Sequence, residues 1–173
     1  MITTTIRFPV ESIRKLETFA GDVAREYYII VANAKEIAHQ FDAWRFPELQ
    51  NLDVSDSVSQ AIKKTLCEEP REFFYRNRGL KLVASQVSYE KKDHYDIERP
   101  SVALEFADPN LHGLIDGGHT YQAICNYMDE LSAEAKLGYR AYVRLEVFEG
   151  ITDKDVIQDL IYAFNFSPAR LAN

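Results

Sequence analysis

The sequence predicts an α+β (mixed α/β) fold in which helices flank a central mixed sheet. Strand-like and helix-like segments alternate along its 173 residues, a pattern typical of layered sheets and helices. Glycine and proline number only 7 and 6, so regular structure should dominate. With 46% hydrophobic residues, the chain can bury a core, and its length favours a single domain spanning residues 1–173.

The N-terminal portion, residues 1–50, is expected to contain one strand and one helix. Residues 24–31 are rich in β-branched and aromatic side chains, which favours a strand. Apolar residues then recur at helical spacing from Ala34 to Trp44, and Pro47 should close that helix.

The remaining portion, residues 51–173, alternates more regularly. Ser55 and Asp56 are candidate N-caps of a helix that should end at Pro70, and Thr152 with Asp155 resembles a capping box. Further elements follow from apolar patterning: strands over 80–89, 97–106 and 139–148, an apolar run over 111–115, and helices from about Thr120 and after Thr152. The ending ARLAN looks interrupted, which favours one portion of a longer protein.

Charge and cysteine content exclude several classes of protein. The formal net charge is -7, whereas a protein that coats DNA phosphates is normally basic. Cys67 and Cys125 form no CxxC pattern, which excludes a zinc ribbon or a disulfide scaffold, and each is expected to be a buried thiol. Neither a signal peptide nor an apolar run of about 18 residues is present. We therefore expect a soluble, cytoplasmic protein without a membrane partner.

The sharpest motif is the turn Asp116-Gly117-Gly118-His119-Thr120, between an apolar run and a helix. Its glycines would allow a ligand to approach the backbone closely, and the helix start offers amides suited to a phosphate. Thr120 could add a hydroxyl and His119 a donor, while Asp116 could bind a metal ion or orient a water. A glycine turn in which Asp116 or Thr120 merely caps the helix explains the same residues equally well.

The second motif is the cationic segment Arg71–Lys81, in which Arg76 and Arg78 could bind phosphate. An exposed turn before a strand, with its aromatic residues in the core, is the alternative. The third motif is Asn165, directly after an apolar helix, where its amide could reach a pocket or simply end the helix.

Together, the segments EEPREFFYRNRGLKLVAS, LIDGGHTYQAI and AFNFSP resemble the abortive-infection phage-resistance (AIPR) family over about residues 50–170. Arg78 stands where the family pattern has the second asparagine of NNG. The turn is also similar, more remotely, to the DGQHR motif of DndB-type proteins and to the phosphate-binding box of ParB and sulfiredoxin. Thr120 occupies the place of the arginine in those signatures, which disfavours NTP hydrolysis but leaves phosphate binding open.

The resemblance implies a ParB/sulfiredoxin-like core in residues 51–173 that binds a nucleotide or a nucleic-acid end in phage defence. Carried over, the catalytic candidates are Asp116 and His119, with Asp116 as ligand of an Mg²⁺ ion if a nucleotide is hydrolysed. The phosphate-binding candidates are Gly117, Gly118, Thr120, Asn77, Arg78, Gly79, Arg76 and Asn165. The alternative is a non-enzymatic regulatory module that contacts a protein partner or forms a homo-oligomer. A nuclease is disfavoured because no PD-(D/E)xK or HNH pattern occurs.

Overall fold

The computed structural model describes residues 2–20, 23–50, 52–53, 55–91 and 100–165. Its strands are β1 (Thr4–Pro9), β2 (Ser12–Ala20), β3 (Val23–Asn33), β4 (Leu80–Ala84), β5 (Gln86–Glu90), β6 (Ser101–Phe106), β7 (Gly113–Asp116) and β8 (Tyr142–Glu149). Its α-helices are α1 (Ala34–Ile37), α2 (Ser57–Glu68), α3 (Phe73–Arg76), α4 (Gly118–Glu130), α5 (Ala133–Leu137) and α6 (Lys154–Asn165). Short 3-10 turns cover Pro47–Leu49 and Pro70–Glu72.

Two sheets organise the strands. The larger has the order β2-β3-β8-β4-β7, and the smaller has the order β1-β6-β5. Strands β4 and β8 run parallel, whereas β3 and β8 run antiparallel. The predicted central mixed sheet with flanking helices is therefore confirmed.

The N-terminal portion differs from the prediction of one strand and one helix. Strands β1 and β2 precede the predicted strand, and each contains several charged or exposed residues that weaken an apolar pattern. The predicted helix over Ala34–Trp44 is wrong beyond its first turn, because α1 ends at Ile37 and His39 adopts a positive φ of 63°. Phe41 is buried within the loop that follows, so the helical spacing reflected burial rather than a continuing helix.

The predicted strand 80–89 is two strands, which belong to different sheets. Ser85 separates them: its backbone N–H donates to the Glu105 carbonyl at 2.8 Å, whereas the Ala84 carbonyl accepts from Gly150 at 3.0 Å. The chain thus changes sheets at Ser85, because the hydrogen-bonding partner changes from β8 and its following turn to β6.

Element ends follow the predicted caps in part. Asp56 caps α2, since its Oδ1 accepts from the Ser59 amide at 2.7 Å. At α6 the cap is Asp153 rather than Thr152, because Asp153 Oδ1 accepts from the Asp155 amide at 2.9 Å. Of the strand predicted over 97–106, the described part forms β6 from Ser101, and the strand predicted over 139–148 begins later, with β8 at Tyr142. Residues 97–99, like Phe166, Ser167 and Pro168, lie outside the described residues.

The core lies on both faces of the larger sheet. One cluster joins that sheet to the smaller sheet and to α4, and a second packs α6 against Val83 and Ile115. Cys125 is buried as predicted, but Cys67 is exposed, so the prediction of a buried thiol is wrong there. No helix among the described residues combines the length and the apolar character needed to span a bilayer.

Candidate functional site

The predicted turn Asp116–Thr120 covers the last residue of β7, Gly117 and the first three residues of α4, so it joins a strand to a helix as predicted. Gly117 adopts a φ of 89° and precedes the first helical residue, Gly118. The Tyr121 amide closes the first turn on the Gly117 carbonyl at 2.9 Å. A left-handed conformation before a helix strongly favours glycine.

The glycines of this turn, however, make room for the protein itself. A Cβ on Gly117 would lie 2.5 Å from the Gly79 carbonyl oxygen. A Cβ on Gly118 would lie 2.6 Å from Leu52 and 3.0 Å from Leu49. On these sides of the backbone, the close approach that we expected of a ligand is made by other residues of the chain.

Asn77 connects the turn to the cationic segment. Its Nδ2 donates to Thr120 Oγ1 at 2.9 Å, and its Oδ1 accepts from the Gly79 amide at 2.7 Å. Gly79 itself adopts a φ of 80°, and a Cβ there would lie 2.1 Å from the Arg144 carbonyl oxygen. The segment Asn77–Gly79 therefore lies directly beside the turn.

Asn165 brings the third predicted segment to the same place. Its Nδ2 donates to the Ile115 carbonyl, one residue before Asp116, and to the Ile161 carbonyl, both at 2.8 Å. The end of α6 is thereby tied to β7. We refer to Asn77–Gly79, Asp116–Thr120 and Asn165 as the junction.

His119 turns toward α2. Its Nδ1 lies 2.9 Å from Ser59 Oγ and 3.5 Å from Asp56 Oδ2. The imidazole is therefore positioned beside the capped start of a second helix and next to a carboxylate, a setting that holds the ring in place.

Asp116 belongs to an ionic cluster on the sheet face that α6 partly covers. Lys81 Nζ lies 3.9 Å from Asp116 Oδ2 and 2.8 Å from Glu146 Oε2. The Tyr27 hydroxyl also donates to Glu146, and Lys81 Nζ lies 5.0 Å from the centre of the Phe164 ring. The Asp116 side chain is only 7% exposed, so the ammonium group of Lys81 supplies the countercharge that a buried carboxylate requires.

The pKa of Glu146 shows how this cluster is balanced. Burial raises that pKa, but the hydrogen bonds from Lys81 and Tyr27, together with the positive charges of Lys81 and Arg144, outweigh burial, and the net shift is downward. Burial and the bond to Glu146 raise the pKa of Tyr27. Glu146 is therefore held as a carboxylate and Tyr27 as a neutral phenol.

The two predicted arginines differ in their surroundings. Arg76 is exposed and forms an ion pair with Glu69. Arg78 is also exposed, and no carboxylate in the described part of the chain pairs with it. Arg78 is thus the exposed guanidinium of the junction.

Sequence reasoning missed Glu146, which pairs with Lys81, and Tyr27, which donates to Glu146. Glu146 and Arg144 alternate with the buried Val143, Leu145 and Val147 along β8. Charged residues at every second position of a central strand indicate a polar cluster on the face opposite to its buried apolar residues. This alternation was the signal from which Glu146 could have been found. Tyr27 offered none, because its partner lies on a strand 119 positions away.

In the comparison with protein families, the family model described as AIPR protein matches residues 50–169. The match includes Asn77–Gly79, Asp116–Thr120 and Asn165. Comparison with curated proteins and with solved structures yields no match. The more remote kinship with DGQHR and ParB-like proteins stays a prediction.

Proposed function

The chain belongs to the AIPR family, and from that premise we propose that it is a phage-defence module that binds a nucleotide or a nucleic-acid phosphate at the junction. The family suggests abortive-infection phage defence. The phosphate specificity is our inference from the residues that the fold brings together.

The convergence of the three segments carries the proposal. Asn77 contacts Thr120, Gly117 contacts Gly79, and Asn165 contacts the strand that ends at Asp116. Arg78 lies between Asn77, whose side chain accepts a hydrogen bond from the Gly79 amide, and Gly79, which packs closely against the Arg144 carbonyl. A guanidinium on a fixed backbone is well suited to bind phosphate through two parallel hydrogen bonds.

The ligand would approach from the Arg78 side of the junction. Other residues of the chain occupy the space beside the α-carbons of Gly117 and Gly118. His119 lies beside the Asp56 carboxylate, which would repel an anion. Arg144 adds a further cation on the strand next to Gly79 and stacks on Phe74, with its guanidinium carbon 5.2 Å from the ring centre.

We propose binding without assigning hydrolysis. Asp116, the expected Mg²⁺ ligand, faces the Lys81 ammonium at 3.9 Å, and that cation would oppose a divalent ion. An Mg²⁺ ion enters the proposal as the companion of a nucleotide. Phosphate release from ATP or GTP with Mg²⁺, compared between the wild type and Asp116→Asn, tests for hydrolysis.

Binding is tested with ATP, GTP and a 5′-phosphorylated oligonucleotide, with and without Mg²⁺, by calorimetry and fluorescence anisotropy. Arg78→Ala should weaken binding about tenfold or more, because a hydrogen bond to a charged group contributes about 1.5–3 kcal/mol. Arg71→Ala removes the same charge at another exposed position and should change the affinity little. No binding to any of these ligands, or equal weakening in both variants, would contradict the proposal.

A non-enzymatic regulatory module is the second candidate, and the packing of the glycines favours it. If the turn serves only to join α4, β4 and the loop around Leu52, Arg78→Ala should retain full phage protection when phage are plated on a bacterial host that expresses the chain. Loss of protection by a folded Arg78→Ala protein would argue against this candidate.

A further inference from the structure

A second group of polar side chains lies away from the junction, where the loop after α1 crosses α4. His39 Nδ1 lies 2.8 Å from Asp42 Oδ2, and His39 Nε2 lies 2.8 Å from Asp129 Oδ1. The His39 backbone amide donates to Cys125 Sγ at 3.3 Å. We call His39, Asp42, Cys125 and Asp129 the His39 cluster.

We propose that His39, Asp42 and Cys125 bind a divalent transition-metal ion, best matched by Zn²⁺. One donor atom from each residue lies within 4.8 Å of the donors of the other two. Zinc bonds these donors at about 2.0–2.3 Å with tetrahedral angles, which sets ligand atoms somewhat less than about 4 Å apart. Small side-chain adjustments would therefore bring all three atoms into a first coordination sphere.

The chemistry of the donors selects the metal. A thiolate and an imidazole are borderline or soft ligands that favour zinc and its first-row neighbours, whereas calcium and magnesium prefer oxygen alone. Cys125 would release its proton to solvent on binding, because the thiolate is the ligand. His39 would bind the metal through Nδ1.

The surrounding contacts match the second shell of a metal site. Metal-binding histidines usually donate their other ring N–H to a carboxylate, a backbone carbonyl or a water, and the Asp129 carboxylate lies in that position next to Nε2 of His39. The Tyr121 hydroxyl donates to Asp42 Oδ1 at 2.7 Å, which fixes the carboxylate and directs Oδ2 toward His39. Each ligand that reaches the surface is thus oriented by a partner that does not itself bind the metal.

Access is also suitable. Cys125 is buried, whereas the side chains of His39 and Asp42 are 48% and 50% exposed. An ion could enter from solvent, and three protein ligands would leave a fourth position for water, as in open zinc sites. The site uses no residue of the junction, so the two proposals are independent.

Cobalt(II) is the probe, because sulfur ligation to cobalt produces a near-ultraviolet charge-transfer band that a carboxylate or imidazole ligand does not. Titration of the full chain with Co²⁺ should produce this band with one ion per chain, and added Zn²⁺ should abolish it. Cys125→Ser should lack the band. Cys67→Ser, which changes the exposed cysteine, should keep it.

His39→Gln and Asp42→Asn provide a second arm, because both residues are exposed and their variants should fold even if Cys125→Ser does not. Each should weaken Zn²⁺ binding at least tenfold by calorimetry, with unchanged far-ultraviolet circular dichroism. The proposal is overturned if the wild type shows no cobalt–sulfur band, if the band depends on Cys67, or if folded His39→Gln binds Zn²⁺ as tightly as the wild type.

Discussion

Gly117 is a residue whose lack of a side chain the junction directly requires. It combines a φ of 89° with a Gly79 carbonyl oxygen 2.5 Å from the position of its missing Cβ. Backbone oxygen cannot move aside as a flexible side chain can, so both the conformation and the contact select glycine. Gly118 is less constrained, because the atoms nearest to its missing Cβ are the ends of leucine side chains.

Gly117→Ala should therefore lower the free energy of unfolding by about 1–3 kcal/mol, measured by urea denaturation. Gly138→Ala is the matched control: its φ is -97°, and no atom lies within 4 Å of the added Cβ. The control should be neutral or slightly stabilising. Equal stability of the two variants would contradict this account of the turn.

His112 predicts a pH dependence of stability. Its side chain is buried, and Nδ1 accepts from the amides of Ala107 and Asp108, both at 3.0 Å. Burial lowers the pKa of His112, and the charge of Asp108 opposes this only in part. The imidazole of His112 takes up a proton near pH 6.5 in the unfolded chain, but only at lower pH in the folded state. The neutral imidazole therefore makes its full contribution to the free energy of unfolding above about pH 6.5.

Stability should consequently fall as the pH drops from about 6.5 through the lowered pKa of His112. His112→Gln should be less stable than the wild type at pH 7.5, since it disturbs the two amide contacts. Its further loss between pH 7.5 and 5.5, measured by urea denaturation, should be smaller than that of the wild type. An identical loss in both proteins would rule out His112 as the source.

At the scale of elements, α6 is joined to the sheet by apolar packing and by one polar anchor. Ile157 and Ile161 pack against Val83 and Ile115. Asn165 adds a directional bond to the Ile115 carbonyl, which sets where the end of α6 lies along β7. The helix thereby covers part of the ionic cluster around Lys81, whose ammonium lies over the Phe164 ring.

Asn165→Ala should loosen the end of α6 and speed hydrogen exchange of its last-turn amides several-fold, because a net contribution of about 1 kcal/mol per hydrogen bond is lost. Gln158→Ala is the control, since Gln158 is exposed on the same helix. Unchanged exchange in Asn165→Ala, or equal acceleration in both variants, would show that apolar packing alone positions α6.

At the scale of the whole molecule, the junction lies where both faces of the larger sheet receive a helix. Strand β4 pairs with β7 on one side and with β8 on the other, so Lys81 can reach both Asp116 and Glu146. Ser85 then directs the chain into the smaller sheet, which packs over the opposite face. A central position in a mixed sheet thus allows residues from distant segments to meet.

Local patterns predicted much of this arrangement. The segments around β3, β4, β7, β8 and α4 carried clear apolar periodicity, and Asp56 was recognised as a cap because capping depends on adjacent residues. Strand β2 was not predicted, because it presents mainly exposed residues. The helix predicted from Ala34 was too long, because α1 ends at Ile37, shortly before His39 takes a positive φ. The His39 cluster could not be found from spacing either, since 86 positions separate His39 from Cys125.

The fold class, the family and the three segments of interest can be recognised from the sequence alone, because periodicity, caps and motifs are properties of neighbouring residues. The surroundings of these segments are visible only in the folded chain: the Gly79 carbonyl beside Gly117, Lys81 beside Asp116, and Ser59 beside His119. Those contacts depend on strand pairing and helix packing between distant segments. Long-range packing therefore determines the surroundings of each predicted group, and in the junction it leaves the Arg78 side chain exposed.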